Sequence, residues 1–245
     1  PLPLLLFALS RVALITGASR GIGAAAANSF AEAGWDLQLL ARSSQELNAV
    51  ADHCRSHGVR VTSRCVDFAD PGAIAPALEH LVAEAGTPGL VINNAGVALT
   101  AQLTSTSLEQ WQWLLQLNLT SVFQVCLALV PAMRTQGGGL IINLNSHAAR
   151  RSFPEWGAYC TSKAALEAFS RCLAEEERGH GIRVSTLTLG AVNSPLWDTP
   201  TVQASFDRDA MLPVEHVAST LLHMAQQPPQ LLLEDLTLMP AAGAL

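Results

Sequence analysis

At 245 residues, 49% apolar and only 14% charged, the chain is long enough to bury one large core and reads as globular. A net charge of −6 argues against nucleic-acid binding, which calls for a basic stripe. The five cysteines, none in a Cys-x-x-Cys pair, read as reduced thiols of a cytoplasmic protein, and no His/Cys/Asp/Glu cluster has metal-ligand spacing.

Residues 1–10 form an apolar lead-in, too short to span a bilayer and without the charged start or cleavage site of a secretory signal. The chain starts at Pro1 and not at Met, which leaves room for a segment upstream. Apolar runs bounded by turn residues predict strands at 11–16, 35–41, 59–66, 90–93, 139–145, 182–187 and 231–239. Between them, helical periodicity and start and stop signals predict helices at 21–33, 45–57, 71–85, 108–135, 156–178 and 213–226, with Pro131 disturbing the end of the fourth. Strict alternation of strand and helix, with no repeat or linker, predicts an α/β fold: one doubly wound parallel sheet of about seven strands in a single domain, 11–245. Residues 190–212 are the one long irregular stretch. They follow the sixth strand, where a doubly wound sheet binds ligands, and are expected to form a lid.

The first strand runs into Gly17-Ala18-Ser19-Arg20-Gly21-Ile22-Gly23 and then a helix. Glycines there let backbone approach a pyrophosphate, and the helix N-terminus offers free N–H groups. The acid that holds the ribose 2′-hydroxyl of NAD is expected about twenty residues on. Ala41-Arg42-Ser43 stands at that point, while Asp36 and Glu46 are poorly placed. Arg42 with Arg20 would clamp a 2′-phosphate, or both are simply solvated. We therefore expect NADP (NADPH) in preference to NAD.

Tyr159 is the only tyrosine, and Lys163 lies one helical turn beyond it on the same face. An adjacent ammonium favours the phenolate, so the pair reads as a tuned proton donor and acceptor. Ser146 precedes it, Asn118 lies in the long helix, and Asn93-Asn94-Ala95-Gly96 follows the fourth strand.

This ordered set resembles the short-chain dehydrogenase/reductase family, in its short single-domain branch, over about 11–239. The resemblance implies that Tyr159 is the general acid, that Lys163 binds the nicotinamide ribose and lowers the tyrosine pKa, that Ser146 bonds the substrate oxygen, and that Asn118 holds a water leading to Lys163. It implies that Gly17, Ser19, Arg20, Gly21, Ile22 and Gly23 cradle the pyrophosphate. Asp67 would touch the adenine, and Val192 the nicotinamide amide. Asn93, Ala95 and Gly96 would line the adenosine side or brace the sheet. Where the family has Pro-Gly, this chain has Leu189-Gly190, and Ser194 replaces the usual threonine. The missing proline leaves the lid's order and the cofactor's affinity open. The expected substrate is a small carbonyl or alcohol such as a 3-oxoacyl compound or a 3-hydroxy acid. Trp156 would line its pocket, Trp197 and Phe206 either line it or pack the lid, and Arg150-Arg151 either attracts an anionic substrate or solvates a loop. Relatives assemble through their two long helices, which implies a homodimer or homotetramer. The alternative is an NADP(H)-sensing regulatory protein without turnover, although sensors on this fold typically lose the tyrosine or the lysine. An epimerase or dehydratase would need a further C-terminal substrate region.

Overall fold

The structure is a computed structural model that describes residues 10–204 and 206–243; the lead-in at 1–9 lies outside the described residues. Seven strands, β1 (Val12–Thr16), β2 (Asp36–Ala41), β3 (Val61–Cys65), β4 (Leu90–Asn93), β5 (Gly139–Ser146), β6 (Ile182–Leu189) and β7 (Asp235–Leu238), form one sheet. Every pairing is parallel, in the order β3-β2-β1-β4-β5-β6-β7. Successive strand residues face opposite layers. Ala13 and Ile15 pack with α1 (Gly21–Glu32), α2 (Ser44–Arg55) and α7 (Val214–Ala225), while Leu14 packs with α3 (Pro71–Ala85), α5 (Ser121–Thr135) and α6 (Gly157–Glu177). Burial on both faces is why β1, β2 and β4 are mostly apolar instead of alternating with polar residues. The winding reverses between β1 and β4, so their carboxyl ends diverge and leave a crevice.

Local signals place the helix ends. Asp70 caps α3 by accepting from Gly72 N (2.9 Å), and Ser107 with Gln110 forms a capping box on α4 (Leu108–Leu115). The expected helix over 108–135 is present but differs inside. Pro131 lies within α5 without ending it, and the disturbance comes earlier, as a π-helical turn at Gln116–Thr120 between α4 and α5. Leu108–Thr135 is apolar and long enough to cross a membrane by composition, yet half of its most apolar window is buried against this fold. The last strand is shorter than the expected 231–239. It lies at the sheet edge, and Leu231 O is taken by the Arg183 guanidinium (2.7 Å) instead of a ladder partner.

Candidate active site

The carboxyl ends of β1 through β6 open into one continuous cavity of about 430 Å³. At one end the chain turns sharply after β1. Gly17 has φ +66°, and a Cβ there would fall 2.9 Å from Ala95 Cα; at Gly23 it would fall 2.2 Å from Gly17 O. Only glycine allows the loop to lie against the turn after β4. Asn94 sews the two together, its Nδ2 donating to Thr16 O (2.9 Å) and Gly17 O (3.1 Å). Thr16 Oγ1 returns the link by accepting from Asn94 N and Ala95 N, both at 3.0 Å. The first turn of α1 carries no acidic residue, so its free N–H groups face the cavity without a competing anion.

Arg20 and Arg42 line this end, are exposed, and have no ion pair among the described residues. Ser43 lies on the same rim, as does Glu46, which the sequence reads as poorly placed. Asp67 lines it too and turns its own loop by accepting from Ala69 N (3.0 Å). A glycine cradle, an open helix N-terminus and two unpaired cations together fit a dinucleotide phosphate chain.

At the other end, β5 delivers Ser146 and the first turn of α6 delivers Tyr159, with Lys163 one turn on. Ser146 Oγ accepts from Ala148 N (3.2 Å). Lys163 is 8% exposed; its Nζ donates to Leu144 O (3.0 Å) and lies 5.9 Å from the Tyr159 ring centroid. Burial pushes the phenol up to about 12, against a hydrogen bond from Ser146 that works downward. Burial also brings the ammonium down to about 8. For the protein on its own, desolvation is the largest influence on both groups. Desolvation penalises both charged forms, and the ammonium is turned to a carbonyl instead of the phenol.

Most of the expected residues meet in this cavity: Gly17, Ser19, Arg20, Gly21, Ile22, Arg42, Asp67, Ala95, Gly96, Ser146, Tyr159, Lys163, Gly190, Val192 and Ser194. Three do not line it. Gly23 sits behind the loop it permits. Asn93 points into the sheet, where its Nδ2 donates to Asn143 Oδ1 (2.8 Å) and Asn143 in turn donates to Ser170 Oγ (2.8 Å), bracing β4, β5 and α6. Asn118 occupies the π-helical turn with its amide fully engaged. Its Oδ1 accepts from Val97 N (2.8 Å), and its Nδ2 donates to Val97 O (2.9 Å) and Ser162 Oγ (3.0 Å). It thereby ties the turn after β4 to the residue preceding Lys163.

The described residues of 190–212 are tied to the body of the fold despite Leu189. That residue simply extends β6, and Gly190 N donates to Leu238 O (2.9 Å). A Val192–Leu212 bridge closes the base of the stretch. Arg208 fastens its interior by donating to Asn193 Oδ1 (2.9 Å), Asp198 Oδ1 (3.0 Å) and Ser194 O (3.0 Å). Trp197 and Phe206 from this stretch, with Trp156, do line the cavity. Arg150 is held away from it, in ion pairs with Glu167 and Asp235.

The family model for short chain dehydrogenase matches residues 11–203. D-threitol dehydrogenase of Mycolicibacterium smegmatis is 34% identical over 194 residues, covering 78% of this chain and 75% of that one. An alcohol dehydrogenase from the archaeon Thermococcus sibiricus, complexed with 5-hydroxy-NADP, superimposes with a TM-score of 0.86 at 27% identity, covering 94% of this chain and 96% of that one. L-sorbose reductase from Gluconobacter frateurii, complexed with NADPH and L-sorbose, gives 0.85 at 28% identity, covering 94% and 95%. With its parallel seven-stranded sheet, its glycine cradle and a match over most of its length, the chain belongs to the short-chain dehydrogenase/reductase family.

Proposed function

We propose that the protein is an NADP(H)-dependent oxidoreductase acting on a small ketone or secondary alcohol. The observation that carries this reading is the single cavity that runs from Arg20 and Arg42 at one end to Ser146, Tyr159 and Lys163 at the other. A nicotinamide dinucleotide bound along it supplies the hydride. Gly17, Ser19, Gly21, Ile22 and the start of α1 hold the pyrophosphate. Arg20 and Arg42 take the 2′-phosphate, and Asp67, Ala95 and Gly96 lie along the adenosine. Gly190, Val192 and Ser194 border the nicotinamide. The NADP-type ligands of the Thermococcus and Gluconobacter structures support the same choice.

The Tyr159 phenol, raised further by burial, is protonated at neutral pH, as a donor to a carbonyl oxygen must be. Ser146 donates a hydrogen bond to that oxygen. Lys163, close to the phenol and charged below pH of about 8, stabilises the phenolate left behind and holds the ribose. Asn118 acts through the backbone at Val97 and through Ser162, keeping Lys163 in register.

Two further readings belong to the whole protein. Leu108, Phe123 and Leu127 are exposed on α4 and α5, which supports a homodimer or homotetramer through these helices. All five cysteines are free, which supports a cytoplasmic site.

The test is NADPH oxidation by the purified protein across a panel of neutral ketones and 3-oxo acids. Turnover of at least one carbonyl is expected. NADPH binding with turnover of none would favour the sensor.

A further inference from the structure

The substrate half of the cavity is built from aromatic rings. Tyr159, Trp156, Trp197 and Phe206 form a continuous edge-to-face chain, with centroid separations of 5.6, 5.8 and 4.9 Å and interplanar angles of 74°, 62° and 67°. His147 and Phe153 make a second pair at 6.5 Å, and all six rings border the cavity beside Ser146. The chain spans two separate parts of the fold. Trp156 and Tyr159 come from the start of α6, while Trp197 and Phe206 come from 190–212.

Besides Tyr159, the ionisable side chains bordering this half are Lys163 and His147, and it holds no carboxylate or arginine. The acids and arginines that border the cavity, Arg20, Arg42, Glu46 and Asp67, all stand at the phosphate and adenosine end. The cations nearest in sequence to the rings are committed elsewhere. Arg150 bonds Glu167, Asp235 and Thr237, Arg208 is held by Asn193, Asp198 and Ser194, and the Arg151 guanidinium stacks on Phe153 without bordering the cavity. Lys163 turns to Leu144 O. The Trp197 indole N–H already donates to Val192 O (2.7 Å), and the buried spare hydrogen-bonding groups beside Ser146 are confined to the Asn145 amide, which has no partner among the described residues.

We propose that this half takes a neutral carbonyl compound bearing an aryl group: an aryl ketone, or the corresponding benzylic secondary alcohol. The proposal rests on the oxidoreductase reading above. An aryl ring set against these edges gains offset and edge-to-face contacts. A carboxylate set among these rings would be desolvated, with only Lys163, already bonded to Leu144 O, and His147 to face it, and most hydroxyls of a sugar-like ketose would exchange water for aromatic surface. This narrows the expectation of 3-oxo and 3-hydroxy acids by removing the acid.

The experiment compares four carbonyls with the NADPH-loaded protein: acetophenone; benzoylformate, which keeps the ring and adds a carboxylate; a ketohexose; and 2-butanone. We expect kcat/KM for acetophenone to exceed those for benzoylformate and the ketohexose by about 100-fold or more. Trp197→Ala should raise the KM for acetophenone about tenfold and leave that for 2-butanone within about twofold. Phe206→Leu, a smaller change, should act in the same direction. Equal or better use of benzoylformate or the ketohexose would overturn the proposal, as would a Trp197→Ala effect equal for both neutral ketones. Where no carbonyl turns over, calorimetric titration of acetophenone into the NADPH complex decides. Saturable binding that weakens in Trp197→Ala keeps the ligand class and overturns the oxidoreductase reading. No binding overturns the ligand class.

Discussion

Tyr159 and Lys163 sit where burial penalises charge on either one, and that gives the pair a cost that can be measured. Lys163 titrates at about 8 in the folded protein and near 10.5 when unfolded. Between those values the unfolded chain holds the proton and the folded chain does not, so this group makes stability rise with pH across that window. Below it, the folded chain carries a buried charge with one carbonyl for a partner. Lys163→Met without cofactor should therefore be more stable than wild type at pH 7, by on the order of 1–2 kcal/mol. The gap should close towards pH 10.5 in urea unfolding; a less stable variant at pH 7 would contradict the burial argument. At the opposite end, Arg42 shares its rim with Glu46, so Arg42→Asp leaves that edge acidic. The ratio of kcat/KM for NADPH to that for NADH should fall by about 100-fold or more, because a charge-assisted phosphate contact is replaced by repulsion. An unchanged ratio would remove Arg42 from the cofactor site. That Arg42, Ser146, Tyr159 and Lys163 would border one cavity was legible in the sequence, because each was picked by its spacing from a strand end or helix turn. The roles within Asn93-Asn94 were not, since the two residues look alike until the end of β4 sends one into the sheet and the other to the glycine loop.

Elements whose ends carry their own chemistry were readable to the residue. The helix α3 starts at Asp70-Pro71 and stops before Gly86, and β4 stops at Asn93, all as expected. Features set by partners were not readable. The edge strand β7 ends where its neighbour ends, and the π-helical turn at 116–120 exists around an Asn118 amide whose bonds run to Val97 and Ser162. The same holds for 190–212, which the sequence leaves as an irregular stretch and which Arg208 organises through three hydrogen bonds. One of those bonds is to Ser194, at the cavity wall. Arg208→Ala should loosen this wall and raise the NADPH dissociation constant roughly threefold to tenfold, as expected from losing bonds worth about 1 kcal/mol each at a half-exposed site. The thermal midpoint without cofactor should fall by about a few degrees. Calorimetry and thermal unfolding read the two effects separately, and unchanged affinity would show that the latch does not act on the cofactor site.

At the scale of the molecule, alternation of strand and helix was enough to give the parallel sheet. The exposed side chains of α4 and α5 say what the isolated chain still leaves uncovered. Leu127 is 64% exposed, and Phe123 is 47% exposed with its ring edge-to-face on Phe169. Leu127→Glu should shift the protein from oligomer to smaller species in sedimentation velocity, and a wild type that is monomeric at all concentrations would remove the interface. The proposed function turns on one cavity that joins the glycine loop to Tyr159. Tyr159→Phe keeps the ring contact with Trp156 and removes only the hydroxyl. The direct measurement is steady-state reduction of a neutral aryl ketone by this variant, alongside its NADPH affinity. The account predicts affinity within about twofold of wild type and kcat lower by roughly 10²–10⁴-fold, the range of a lost general acid. A Tyr159→Phe variant that turns over at the wild-type rate would contradict it.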